Sequence, residues 1–412
     1  MRTEREPEEE QEQYSFIEEV IKEEHIETRI LLRKIGIRIL LGGTLGIAAA
    51  LGFTAFRPWA KEMLEPDAST VEIQYEVPGS MESVESWDGG SQPENYTSML
   101  QEIRRTATDA EKCVVQVINL PEEARWDDSP KDKGQKTSGL IVADNGYKLL
   151  ILVNDLDLEQ PRYLQVVFQD GTAQEASVVQ RCNNIGIAVI SVEKNAVDKQ
   201  TLKGIRIASW GNSNALEKDA TLIALGAPHG YEGGLSYEIL KSAREQQVCA
   251  DGVFPILIVQ SGFSHNSTGF LFDLYGNVIG IIDSQLAAER EALAAWGISA
   301  LKQEVGLMLN EKPVPYIGVI GTWVSPEMEE KLNMPKGIYV KSVETDSPAM
   351  RAGIQTGDII TDIDEMPINS LIGYHNQVMI KEVGQQIQIN GVRFGAEEYV
   401  AIAFDVMVGV KK

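Results

Sequence analysis

Ser267 is the residue best placed to do chemistry in this chain, within Ser264-His265-Asn266-Ser267-Thr268-Gly269. A serine hydroxyl becomes a nucleophile when a neighbouring base, most often an imidazole, takes its proton. Imidazoles are scarce here: four histidines serve 412 residues, and none lies between His25 and His229. Three groups remain as candidate bases. His265 is two residues before the serine, His229 lies in Gly226-Ala227-Pro228-His229-Gly230, and Asp155 follows a long apolar run. A carboxylate with an ordinary pKa of about 3.9 is a poor base at neutral pH. The plainer reading makes Ser267 a turn residue and the other three surface or turn groups. No CxxC or HExxH spacing occurs, so neither a metal site nor a cofactor is indicated.

Composition narrows the classes. At 43% hydrophobic residues the chain can fill ordinary packed cores. Its net charge of -24 argues against a nucleic-acid partner, because phosphate binding needs clustered Lys and Arg. Three cysteines, Cys113, Cys182 and Cys249, are too few for a disulfide scaffold and leave room for one bridge plus a free thiol.

The uncharged run Ile39 to Phe56, ILLGGTLGIAAALGFTAF, predicts a transmembrane helix: at ~1.5 Å per residue it reaches about 27 Å, close to a bilayer core. Arg29, Arg33, Lys34 and Arg38 crowd its N-terminal flank, which puts the N-terminus in the cytoplasm and the bulk of the chain outside. The acidic segment ahead of the span is unlike the basic leader of a cleaved signal, so an uncleaved anchor is expected. Residues 1–34 form an acidic cytoplasmic tail with an amphipathic helix started by Ser15 and Glu18, residues 35–57 the membrane helix, and residues 58–95 a Pro-, Gly- and Ser-containing linker.

From about Tyr96 a short helix leads into short apolar strands separated by turn signals. Asn145-Gly146 divides GLIVAD from YKLLILV, and Asp170-Gly171 divides LQVVFQ from TAQEASVV. GIAVISV, TLIALGAP, PILIVQ and NVIGIID follow, a pattern of a β-barrel architecture. The order of SGLIVADNGY, VVFQDGTAQEASVV, IGIAVISVE, the NSTG turn with LYGNVIGI, and WGISALKQEV resembles HtrA/Deg serine proteases over roughly residues 110 to 310. That resemblance implies a trypsin-like double β-barrel over residues 96–310 and, since such proteins often form homotrimers, a trimer. It places the catalytic histidine at Val153, the aspartate at Gly186 and the nucleophile at Ser267. It assigns the oxyanion hole to the N–H groups of His265 and Ser267. The first of these is a glycine in the family, and a β-carbon there disfavours positive φ. Neither Val153 nor Gly186 exchanges a proton, so the resemblance implies a degenerate triad.

A second resemblance covers residues 311–412. YIGVIG (316–321), followed by GIYVKSVETDSPAMRAGIQTGDIITDIDEMPI (337–368), is similar to the PDZ domains attached to HtrA proteases. Ser347-Pro348 predicts a helix start, Gly353 a turn and the GDII segment a strand. The resemblance makes Tyr316, Ile317, Gly318 and Val319 the loop whose N–H groups cradle a peptide's C-terminal carboxylate. Residues 370–382 are expected to form the helix beside the groove. The fold expected is thus mainly β, a double barrel followed by a PDZ domain and preceded by one membrane helix. The function expected is that of a cell-membrane HtrA homologue without proteolysis that binds protein C-termini in envelope quality control or stress sensing. The alternative is an active endopeptidase using Ser267 with a non-standard base.

Overall fold

The computed structural model describes residues 70–73, 93–120, 135–154, 163–262 and 264–411. All of them lie in one compact unit, Ala68–Lys412. The predicted span Ile39–Phe56, the cytoplasmic tail, most of the linker and Asp155 fall outside the described residues. Among the described residues no helix is long and apolar enough to cross a membrane.

Six strands form the first barrel: β1 (Val114–Leu120), β2 (Gln135–Asp144), β3 (Lys148–Asn154), β4 (Tyr163–Val167), β5 (Ala173–Cys182) and β6 (Ile187–Glu193). They close in the order β1-β2-β3-β6-β5-β4. Both turn dipeptides join hairpins as the sequence predicts, β2 to β3 and β4 to β5. The apolar run in β3 has no polar face because both faces are covered. Leu149, Ile151 and Val153 point into the barrel, where they meet Ala188, Ile190 and Val192 of β6. Leu150 and Leu152 point out of it, into the cluster shared with the second barrel. The two-residue period of a strand sorts alternate side chains to these two cores.

The second barrel uses β8 (Thr221–Ala227), β9 (Gly234–Cys249), β10 (Gly252–Val259), β11 (Thr268–Phe272), β12 (Asn277–Ile282) and β13 (Ala294–Gly297). The order β11-β8-β9-β10-β13-β12 closes through β11–β12 pairing, and the short β7 (Ser209–Trp210) lies parallel to β12. Leu222, Ala224, Leu257, Ile279 and Ala295 fill it. Helix α1 (Pro93–Glu111) is longer than the segment predicted from Tyr96 and buries Ala107 and Ala110 in the shared cluster. Helix α2 (Ile298–Leu309) adds Leu301, Val305 and Met308 to the same cluster.

The C-terminal part is a sheet in the order β14 (Val319–Trp323), β15 (Ile338–Val343), β16 (Ile359–Ile363), β18 (Gln386–Phe394) and β19 (Tyr399–Met407), with β17 (Met366–Pro367) against β16. β14 is an edge strand. Ser347 caps the helix Pro348–Ala352, which ends on Gly353 at φ 93°. The Asp of the GDII segment, Asp358, is buried and held by Arg393, Nε to Oδ1 at 2.6 Å and Nη2 to Oδ2 at 2.8 Å. Helix α3 (Leu371–Met379) is shorter than the predicted 370–382, with Ser370 as its cap. Ile317, Val319, Tyr374 and Val378 join the cluster that also holds Phe254 and Ile256 of β10, so one apolar core runs from the barrels into this sheet.

All three cysteines are free thiols, so the bridge that their number allows does not form. Burial pushes each thiol up to about 12, which leaves no thiolate at neutral pH.

Candidate functional site

Two places bring sequence-predicted residues together. The first is the turn before β11. Ser267 is fully buried. Its Oγ accepts a hydrogen bond from the N–H of Ser264 at 2.9 Å, and its own N–H donates to the Ser264 carbonyl at 2.9 Å. The turn thus closes on itself through both polar groups of the residue. The N–H that the oxyanion assignment requires is already donated within the turn. Thr268, next along, pairs its hydroxyl with that of Ser138 from β2 at 3.1 Å, which ties this turn to the first barrel.

Of the candidate bases, His265 is exposed in this same turn and Asp155 lies outside the described residues. His229 lies beside Glu238, Nε2 to Oε1 at 3.0 Å, and Glu238 also accepts from Ser236 at 2.7 Å. Val153 is buried inside the first barrel. The polar β3 side chain that reaches the second barrel belongs to its neighbour, Asn154. Asn154 donates to the Ile282 carbonyl at 3.0 Å and to Asp283 at 3.3 Å. Asp283 Oδ2 also accepts from Trp296 Nε1 at 3.1 Å, while its Oδ1 accepts from the N–H groups of Gln285 and Leu286 and caps the helix Ser284–Arg290. Gly186 occupies a left-handed turn at φ 66° between β5 and β6.

The second place is the loop before β14. Its N–H groups converge on one carboxylate, that of Asp251. Ile317 and Gly318 donate to Oδ2 at 2.6 and 2.7 Å, and Val319 donates to Oδ1 at 2.9 Å. The Tyr374 hydroxyl adds a fourth bond to Oδ1 at 2.9 Å. The geometry requires glycine at 318. Its φ is 95°, and a β-carbon there would meet the Ser347 β-carbon at 2.3 Å. Tyr316 belongs to the predicted loop but does not face the carboxylate. Its N–H donates to the Gly409 carbonyl at 2.9 Å, and its hydroxyl donates to Glu344. The loop is therefore an anion nest built of successive backbone donors.

A family model of the PDZ domain matches residues 315–403. Among curated proteins, the serine protease Do-like HtrA of Lactobacillus helveticus is 25% identical over 329 residues, 70% of this chain and 78% of that one. The periplasmic serine endoprotease DegP of Escherichia coli (strain K12) is 26% identical over 272 residues, covering 63% of this chain. The chain is similar to HtrA and DegP proteases over about two thirds of its length, and its C-terminal part matches the PDZ domain. It spans only 55% of the length of that DegP. The structure of the HtrA-type protease AlgW with a decapeptide shares the fold, with a TM-score of 0.53 at 22% identity over 75% of this chain and 99% of that one.

Asp251 had no assigned role in the sequence reading, yet it is the side chain that fills the nest of this HtrA/DegP-like chain. The signal available was slight: an Asp-Gly pair between two apolar runs, which marks a hairpin and nothing more. The residue sits at φ 57° in the turn joining β9 to β10. Its N–H donates to the Val319 carbonyl at 2.7 Å, and its own carbonyl meets His375 Nδ1 at 3.0 Å.

His375 adds a titratable group to this corner. Its Nε2 lies 3.0 Å from Glu304 of α2, and the Phe254 ring packs edge-on against it. Burial by itself pushes the imidazole down. The Glu304 carboxylate and the Asp251 carbonyl outweigh that and hold it above its ordinary 6.5. Only Nδ1 is hydrogen-bonded, to the Asp251 carbonyl, while Nε2 lies against the Glu304 carboxylate at ion-pair distance. A basic group whose folded pKa is raised stabilises the fold fully below its unfolded pKa and loses that contribution as pH rises through the folded one. Thermal unfolding followed from about pH 6 to about pH 9 will therefore show a steeper fall for the wild type than for His375→Gln. Parallel profiles would remove His375 from the account.

Proposed function

We propose that this chain is a membrane-anchored HtrA homologue without endopeptidase activity. It binds exposed protein C-termini through its PDZ domain, in envelope quality control or stress sensing. The observation that carries the reading is a contrast between the two sites. The positions matching the catalytic histidine and aspartate are Val153 and Gly186, neither of which exchanges a proton, and the Ser267 amide is spent on Ser264. The PDZ loop, by contrast, keeps a complete set of backbone donors aimed at a carboxylate. Loss of the histidine removes the base, and loss of one oxyanion donor costs ~10²- to 10³-fold by itself. The uncharged run Ile39–Phe56 and the basic residues before it support a single-pass anchor with the folded part on the extracytoplasmic side. By resemblance the assembly is a homotrimer.

The test is cleavage of fluorescent casein by the full-length protein beside Ser267→Ala, together with labelling by a fluorophosphonate. Neither protein cleaves casein and neither is labelled. Cleavage and labelling by the wild type that vanish in Ser267→Ala would establish the alternative, an active endopeptidase with a non-standard base. His265 and His229 would then be the bases to replace.

A further inference from the structure

Asp251 meets the PDZ loop as the last residue of a peptide would. A chain terminus offers such a loop two things: an anionic carboxylate for the N–H groups and, in strand addition, an N–H for the carbonyl that follows. Asp251 offers both. Its carboxylate takes the three N–H groups of Ile317, Gly318 and Val319, and its N–H takes the Val319 carbonyl at 2.7 Å. The Val319 carbonyl stands at the start of β14, the edge strand along which an added strand would run. Asp251, Ile317, Val319 and Tyr374 are all buried, so an incoming carboxylate has no way to the nest around Asp251.

The residue comes from the second barrel, 66 residues before the loop. Two contacts brace the turn that carries it, one of them backed by a further residue. Asn184, from the turn that includes Gly186, donates to the Ala250 carbonyl at 2.6 Å. His375 of α3 holds the Asp251 carbonyl at 3.0 Å, and α2 reaches His375 through Glu304. The groups that touch the turn come from the first barrel and from the PDZ helix, and α2 supports the second of them through Glu304.

We propose that the PDZ carboxylate site is occupied in cis by Asp251, and that a protein C-terminus binds only by displacing it. The proposal rests on the reading of this loop as a terminus-binding site. Its consequence is a selective one: the resting protein has low affinity for isolated C-termini. A ligand succeeds when its own strand pairing along β14 outweighs the internal bonds. Binding also frees the β9–β10 turn, so occupancy of the PDZ domain is reported to the second barrel.

The experiment uses the full-length protein and a fluorescein-labelled decapeptide ending in Ala-Val-Val, with a free or an amidated C-terminus, followed by anisotropy. Asp251→Gly removes the competing carboxylate and tolerates positive φ without strain. Asp251→Asn keeps the shape and removes the charge. The free-acid peptide binds Asp251→Gly at least about tenfold more tightly than wild type, with Asp251→Asn between them, and the amidated peptide binds none of them. Equal affinity in all three proteins would overturn the proposal, as would equal binding of the amidated peptide. Hydrogen exchange at the amides of residues 317–319 separates the two readings. Faster exchange in both variants with no peptide bound by any protein defeats the terminus-binding reading, and the displacement proposal with it. Unchanged exchange shows that Asp251 does not hold the nest, and overturns the proposal directly.

Discussion

Placing the two residue types that the resemblance expects, Val153→His with Gly186→Asp, leaves casein uncut and lowers the melting temperature. Val153 is fully buried among Ile151, Ala188 and Ile190, on the face of β3 that points into the first barrel. An imidazole placed there is too large for the site and brings polar nitrogens into a core that offers only apolar side chains. Overpacking and an unpaired buried polar group together cost about 3 kcal/mol or more. At ~2.1 cal/mol/K of unfolding entropy per residue, that corresponds to a fall of roughly 4 °C for the unit Ala68–Lys412. The new ring would enter the interior of the first barrel, whereas Ser267 lies in the turn before β11 of the second. Gly186→Asp adds a smaller cost, because φ 66° is unfavourable for a residue with a β-carbon. Thermal unfolding of the two single variants and the double, with casein cleavage alongside, checks this. Casein cleavage by the double variant that disappears on adding Ser267→Ala would mean that the slots are still catalytically aligned.

Gly269→Ala unfolds the second barrel. Gly269 follows the Ser267 turn and pairs with Gly226 on one side and Ile282 on the other, where β11 passes tightly between β8 and β12. A β-carbon at this position would lie 2.2 Å from the Leu225 carbonyl oxygen, and the backbone φ is 134°. The opposing atom belongs to the backbone of a paired strand, so it has no flexible side chain to move aside. Steric overlap and backbone strain together cost about 4 kcal/mol or more, the range in which single substitutions abolish folding. Gly384→Ala is the control. Its φ of 86° is also unfavourable, but a β-carbon there meets nothing within 4 Å. That change costs only about 1–2 kcal/mol. Soluble yield and melting temperature distinguish the two, and a Gly269→Ala protein as stable as the control would show that β11 shifts to make room.

Much of the fold is legible because it depends on local rules. Asn145-Gly146 and Asp170-Gly171 mark hairpins since turns of that kind need residues tolerant of unusual φ. The Ser347-Pro348 start and Gly353 end of one short helix follow from capping chemistry. The run Leu149 to Val153 is recognisable as a strand, but its lack of alternation conceals which side chains face which core. That depends on a second barrel covering the outer face of β3, and so on residues far away in the chain.

The candidate site divides in the same way. The residue types at the catalytic slots are a property of the sequence alone, and a valine or glycine cannot carry a proton in any fold. The donors of the PDZ loop were also foreseeable, because Gly318 is needed for the backbone to turn its N–H groups inward. Only the tertiary structure decided where those donors point. Ser267 spends its amide on Ser264, and Asp251 fills the nest from 66 residues away. The physical reason is that both interactions use backbone N–H groups, which every residue except proline carries. Side-chain patterns record which residues avoid water or turn the chain, whereas they leave no mark of which carboxylate the folded backbone will meet.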